Sequence, residues 1–249
     1  MTGSPHPLLD VQQLSKDFGG LRAVSSVSFR VDPGDIVGVI GPNGAGKTTL
    51  FALLSGYLPP TGGEIRFRGI STAGMRPDRL CHMGIARTFQ VVRPFPEMTV
   101  FENVKAAAVF GKKGRRPAAQ VRREVAEILD ATGLAQAADQ PARSLSLPRR
   151  KRLEVARTLA TRPDILLLDE VLAGLNPHEV QEALPFLRSL NASRGITILM
   201  IEHNMRAIMG ISHRILVLNF GRLIFDGTPE AAVENPDVVT AYLGERSDA

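Results

Sequence analysis

The chain has one cysteine, no tryptophan, two tyrosines and no run approaching the ~18–20 apolar residues that a membrane-crossing helix needs. A lone cysteine, Cys81, excludes an intrachain disulfide and fits a reducing cytosol. Its plainest role is that of a small, partly buried hydrophobe. Residues 1–7 lack the apolar core of a signal peptide. The expectation is therefore that any work at a membrane is done through integral partners. Aromatics are only 5% of the chain, and none interleaves the basic runs, which argues against a surface for single-stranded nucleic acid.

What is present is apolar and basic. At 249 residues and 44% hydrophobic, the chain can bury one large core, or a core plus a smaller lobe. The net charge is +5, and the excess is clustered. Lys112, Lys113, Arg115, Arg116, Arg122 and Arg123 lie close together, and Arg149-Arg150-Lys151-Arg152 form a second run. Such patches suit nucleic acid or anionic lipid head groups. They equally suit a solvated loop or helix face, and no nucleic-acid partner is expected.

Along the chain, residues 8–14 and 23–31 are rich in strand formers, punctuated by Gly19-Gly20 and Pro33-Gly34. Residues 35–40 form a short apolar run suited to a buried parallel strand, and 64–69 alternate like a half-exposed one. From about 100 to 162 the periodicity is helical, most clearly over 121–134 and 150–160. Apolar strands then return at 164–169, 196–201 and 214–218, with a helix over 179–190. Strands alternating with helices predict a helix-covered, mainly parallel sheet. The stretch of about 91–162 reads as a helical subdomain inserted into an α/β core formed by about 1–90 and 163–249.

Residues 41–49, Gly41-Pro42-Asn43-Gly44-Ala45-Gly46-Lys47-Thr48-Thr49, fill every fixed position of the phosphate-loop pattern G-x-x-x-x-G-K-[ST]. Glycines let the backbone curl until successive N–H groups point inward around a polyphosphate. Lys47 then reaches the β- and γ-phosphates, and the Thr48 hydroxyl ligates Mg²⁺. The apolar strand before the loop and the helix opening at Thr49 place a helix N-terminus at the phosphates. The chain is expected to bind a nucleoside triphosphate.

Four further residues follow in a telling order. The apolar run Ile165-Leu166-Leu167-Leu168 ends in Asp169-Glu170. Asp169 at a strand end can hold Mg²⁺, usually through water, and Glu170 is placed to act as general base toward the attacking water. Gln90 offers an amide that senses Mg²⁺ and water at the γ-phosphate. His203 offers an imidazole to the γ-phosphate or to Glu170.

Essentially from end to end, the chain resembles the ATP-binding subunits of ABC transporters. The resemblance implies a phosphate-loop NTPase core with a mainly parallel sheet, an N-terminal antiparallel β subdomain and an inserted helical subdomain, all within one ATP-binding domain spanning 1–249. It makes Phe18 the aromatic that stacks on adenine, and Ala173-Gly174-Leu175-Asn176-Pro177 the loop coupling the two sites of a dimer. Within that family the chain looks closest to one ATPase subunit of the branched-chain (hydrophobic) amino-acid importers. That likeness rests on residues 84–90, 95–104, 152–157 and 235–245. It implies an ATPase at the cytoplasmic face of the bacterial inner membrane, peripheral to integral permeases. A second ATPase subunit would be its partner, and a solute-binding protein an indirect one. Related urea or amide importers share parts of these segments. A non-transport ABC ATPase acting on nucleic acid or ribosomes is the rival from another class.

The family's signature segment, L-S-G-G-Q, corresponds here to Leu145-Ser146-Leu147-Pro148-Arg149. Pro148 stands where the family has glycine, which removes one N–H donor and fixes φ. Ser146 remains able to cap the helix and hydrogen-bond phosphate held by the partner subunit. Val171 replaces the proline usual after the glutamate, a change expected to matter little.

Overall fold

The computed structural model describes residues 7–88, 94–111 and 116–243. The chain divides into two compact units, Met1–Pro77 with Thr197–Ala249, and Asp78–Ile196.

The first unit opens with β1 (Leu9–Phe18), β2 (Leu21–Val31), β3 (Ile36–Ile40), α1 (Lys47–Leu54), β4 (Gly62–Phe67) and β5 (Ile70–Ser71). The second comprises α2 (Pro77–Met83), β6 (Ile85–Arg87), α3 (Val100–Phe110), α4 (Ala118–Ala131), α5 (Leu147–Ala160), β7 (Ile165–Asp169) and α6 (Pro177–Arg194). The chain then returns to the first unit through β8 (Thr197–Ile201), α7 (Met205–Ile211), β9 (Arg214–Asn219), β10 (Arg222–Gly227), α8 (Pro229–Glu234) and α9 (Pro236–Leu243).

In the first unit β2-β1-β4-β5 form an antiparallel sheet. Here Leu9 and Val11 face inward at alternate positions, and Leu14 is buried again after a register shift that leaves Gln12 and Gln13 exposed. A second sheet has β3 paired in parallel with both β8 and β9, and β10 added antiparallel to β9. All five residues of β3 and of β8 are buried. Continuous apolar runs of this kind are what strands covered on both faces need. Leu50, Phe51, Leu53 and Leu54 of α1 are buried as well.

In the second unit, α3 starts at a capping box in which the Thr99 side chain accepts from the Glu102 N–H and the Glu102 carboxylate accepts from the Thr99 N–H. Helix α4 buries Val121, Val125, Ile128 and Leu129, one helical stripe. Among the described residues between Val100 and Thr161 the named elements are all helical. Asn103 is fully buried and ties down the segment before its own helix: its amide donates to the carbonyls of Phe95, Met98 and Thr99, and its Oδ1 accepts from the Phe95 N–H.

Several basic residues that look like a surface patch in the sequence are engaged internally. Arg116 pairs with Glu124 and donates to the Ala108 carbonyl. Arg150 donates to the Leu145 carbonyl at 2.8 Å, and Arg152 meets Glu182 at 2.6 Å. Lys112, Lys113 and Arg115 lie outside the described residues.

Strands β6 and β7 pair in parallel, Arg87 opposite Leu167. Next to this pairing Arg87 Nη2 meets Asp169 Oδ2 at 2.7 Å, with side-chain exposures of 7% and 3%. Thr88 fastens the same corner: its N–H donates to the Leu167 carbonyl, and its Oγ1 accepts from the Asp169 N–H at 3.1 Å. Truncating one partner of a buried pair leaves the other charge uncompensated. Arg87→Met should therefore lower stability by about 3–5 kcal/mol, read as a fall in Tm by calorimetry. The double variant with Asp169→Asn should recover part of that loss, whereas a Tm unchanged by Arg87→Met would show that the pair is not holding the corner.

Candidate functional site

Strand β3 delivers the chain straight into residues 41–46, and α1 begins at Lys47. Gly41, Gly44 and Gly46 all take positive φ, at 148°, 75° and 99°. At two of them the space is also closed. A Cβ on Gly41 would lie 2.1 Å from the Leu218 carbonyl oxygen, and one on Gly46 would lie 2.4 Å from that of Ala23. No other residue fits those positions without moving the backbone.

Gly46 is the N-cap of α1 and brings no capping side chain. The N–H groups of the first turn thus face the loop without a side-chain acceptor of that kind. Lys47 is 6% exposed, and its Nζ donates to the carbonyls of Gly41 at 2.6 Å and Pro42 at 2.8 Å. The cation is held inside the curl of its own loop. Pro42 and Ala45 are buried, Thr49 is half-buried, and Asn43, Gly44 and Thr48 are exposed.

The first unit carries two more expected residues, Phe18 and His203. Phe18 ends β1 in the tight β1–β2 hairpin, opposite Leu21. It is 45% exposed, with Lys16 Nζ 5.1 Å from its ring centroid. The same β2 strand passes the loop at Ala23. Val39 of β3 is in register with Ile201 of β8, and His203 follows two residues later. The exposed His203 therefore leaves the sheet at the same edge as the phosphate loop.

In the second unit, Asp169 ends β7 and is buried against Arg87, and Glu170 follows it, half-buried. The Glu170 backbone is left-handed, with φ 52°. For a residue with a Cβ, that conformation costs on the order of 1–3 kcal/mol. The turn that follows is closed by the Ala173 N–H donating to the Glu170 carbonyl at 3.2 Å, and by the Leu175 N–H donating to that of Leu172. Asn176 then starts α6 with a full capping box to Glu179.

Ser146 occupies the N-cap position of α5, but its hydroxyl makes no capping bond, contrary to the expectation from sequence. It is exposed. Pro148 falls in the first turn, where a helix does not use the missing N–H and the fixed φ is tolerated. Gln90 lies outside the described residues.

Two residues engaged at these positions escape a reading of motifs. One is Arg87, the buried counter-charge of Asp169. The other is Lys151, which counts in the sequence as part of a basic run. Its Nζ donates to the Glu170 carbonyl at 3.2 Å and to the Ala173 carbonyl. The signal for Arg87 is a lone arginine beside an apolar pair, Ile85-Ala86, in a three-residue strand too short to show a period. For Lys151 it is a cation buried among the first turns of a helix, where the dipole disfavours positive charge unless partners are supplied.

Comparison with known proteins identifies the family. The sequence model of the family described as ABC transporter matches residues 24–173. That described as Branched-chain amino acid ATP-binding cassette transporter matches residues 222–248. The chain is 45% identical over 253 residues to the high-affinity branched-chain amino acid transport ATP-binding protein LivG of Escherichia coli strain K12, covering 96% of this chain and 98% of that one. It is 41% identical over 251 residues to the corresponding protein BraF of Pseudomonas aeruginosa, with the same coverages. Among solved structures, the ADP conformation of MJ1267, an ATP-binding cassette of an ABC transporter, superposes with a TM-score of 0.86 at 30% identity, covering 96% of this chain and 99% of that chain. The chain belongs to the ATP-binding subunits of the ABC transporter family.

Proposed function

We infer that this protein is the ATP-hydrolysing subunit of an ABC importer that takes up branched-chain or other hydrophobic amino acids. The observation that carries the reading is the complete phosphate loop, with Lys47 held inside it, in a chain that matches LivG at 45% over nearly its whole length. The loop residues fit a polyphosphate: positive-φ glycines, a helix N-terminus without a capping side chain, and a buried ammonium converge on one point.

In this reading Gly41–Thr49 bind the triphosphate through backbone N–H groups, and Lys47 supplies the charge that meets its β- and γ-oxygens. Phe18 offers an exposed ring for the adenine. Mg²⁺, when bound, would neutralise charge on the phosphates. Thr48, Asp169 and Gln90 would hold it, the acid through water. Among the described residues no group of three or more His, Cys, Asp and Glu is arranged to hold a metal alone. A hydroxyl, an amide and one carboxylate suit an ion whose shell is completed by phosphate and water. Glu170 takes the proton of the attacking water, and His203 orients it.

The partners follow from the family. Among the described residues no helix is long and apolar enough to cross a membrane, so membrane work requires permease subunits. We propose the segment from Gln90 to about Val104 as the permease contact; residues 90–93 lie outside the described residues. Asn103 fixes its 95–99 part, and Phe95 lies half exposed within it. A solute-binding protein would complete the importer, with this subunit at the cytoplasmic face of the inner membrane. The dimer partner is a different ATPase subunit, because the signature segment Leu145–Arg149, with Ser146 as its hydroxyl, carries Pro148 in place of the glycine that would supply an N–H.

Glu170→Gln should keep ATP binding while hydrolysis falls roughly 10²–10⁴-fold, and Lys47→Ala should weaken binding itself. A Glu170→Gln protein with full turnover would move the base elsewhere. Phe18→Ala should lose roughly 1–3 kcal/mol of adenine stacking, about five- to 150-fold in Kd by titration with a fluorescent ATP analogue. An unchanged Kd would remove Phe18 from the site.

The unequal dimer makes its own prediction. The site built on this chain's Lys47 and Glu170 should turn over when the partner supplies an intact signature. The site facing Pro148 should be slow by about 2.7–4 kcal/mol if the lost donor resembles one in an oxyanion hole. The isolated chain should then be a feeble ATPase that Pro148→Gly improves. Brisk hydrolysis by the chain alone, indifferent to Pro148→Gly, would show that the sites are equal.

A further inference from the structure

Lys151 sits five residues into α5, the helix opened by Ser146, and is 8% exposed. Its ammonium is turned toward the strand end rather than toward solvent. It donates to two backbone carbonyls of the turn after β7, those of Glu170 and Ala173. These two residues are the ends of one turn, already joined by the Ala173 N–H to the Glu170 carbonyl. Lys151 therefore closes the turn from outside, at the residue with left-handed φ. The surroundings make the tie specific. Between α5 and α6 runs a groove lined by Pro148, Val155, Val171, Leu172 and Phe186. Such apolar walls hold a turn by packing but do not fix the direction of a carbonyl. Two charge-assisted bonds to the same turn do.

We infer that Lys151 is a positioning residue for Glu170. By clamping the Glu170 and Ala173 carbonyls it holds the backbone in the left-handed conformation, and that conformation sets where the carboxylate points. A general base must lie within hydrogen-bond reach of the water it deprotonates, and a misplacement of about 1 Å can lower a rate by about 10²-fold. Lys151 itself touches neither nucleotide nor water in this scheme. The inference rests on Glu170 being the base. It goes beyond that reading by giving a function to a lysine in the helix that carries the signature segment.

The test uses the complex purified through a tag on this chain, so that the partner subunits are present. Lys151→Met keeps the length of the stem and deletes the donors. It should lower kcat about 10–100-fold, with KM for ATP, the Kd of trinitrophenyl-ATP and Tm close to those of the parent. Lys151→Arg, which can still donate to both carbonyls, should restore most of the rate, and the neutral donor Lys151→Gln should fall between. In a Glu170→Gln background, Lys151→Met should produce no further fall, because the group it positions is already disabled. Wild-type kcat in Lys151→Met would overturn the inference. So would a loss of rate that follows a loss of nucleotide binding or Tm, or that multiplies with Glu170→Gln. If Glu170→Gln alone hydrolyses at the parent rate, the assignment of the base has failed instead.

Discussion

The first unit is organised around one constraint, the closeness with which backbone must approach backbone at the phosphate loop. Gly41 lies against the Leu218 carbonyl near the end of β9, and Gly46 against the Ala23 carbonyl of β2. The β9–β10 turn completes the cage: the Gly221 N–H donates to the Ala45 carbonyl at 3.1 Å, and the Gly221 carbonyl accepts from the Ser25 N–H at 2.8 Å. Two strands and a turn from distant parts of the chain thus fix a loop whose own sequence is too flexible to hold one shape. That rigidity is what lets N–H groups stay aimed at a charge without reorganising when it arrives. The fully buried β3 and β8 have the same purpose, since they fix the edge from which both the loop and His203 emerge.

The second unit solves a different problem, that of keeping charged groups at the end of a buried strand. A carboxylate such as Asp169, 3% exposed, is tolerable only with a partner. Arg87 provides it from the adjacent parallel strand, and Thr88 satisfies the neighbouring N–H. One residue further on, Glu170 adopts a backbone that a side chain disfavours, and the segment after it is stitched by turn bonds, by Lys151 and by the capping box at Asn176. Strain at one residue persists because several neighbours over-determine it. The concentration of such devices around Asp169 and Glu170 fits a place where geometry matters to chemistry.

Much of this was legible in the sequence because it obeys local rules. The phosphate loop is a contiguous pattern, and the runs 165–169 and 196–201 are apolar strands of ordinary length. The stripe Val121, Val125, Ile128 and Leu129 has a clear helical period. What escaped was non-local or too short. Strand β6 has three residues and β5 two, below the length at which alternation can be seen. The fourth strand spans Gly62–Phe67 rather than 64–69, since its start is set by pairing with β1, Ser15 opposite Gly62. Helix α6 runs through Pro185, held by its capping box and buried Val180, Leu187 and Leu190. Arg87 and Lys151 were invisible as site residues because their partners are an acid 82 positions away and carbonyls about 20 positions away. Composition sees charge, not the acceptor that consumes it.

The signature segment shows how far charge can stand in for geometry. Pro148 removes a first-turn N–H of α5, while Arg149 and Arg150 add cations near the same end. Arg150 is turned back onto the Leu145 carbonyl and so serves the local fold. Arg149 is exposed on a long side chain. Ordering such a side chain forfeits roughly 1.5–2 kcal/mol of rotamer freedom, whereas a backbone donor is aimed before any ligand arrives. A full charge attracts an anion from farther away, but stabilising a transition state depends on donors already in place where charge develops. Under the proposed role of this segment, the substitution would favour encounter over catalysis at the site the helix faces. That is the physical reason for expecting the two sites of the dimer to divide the work unequally.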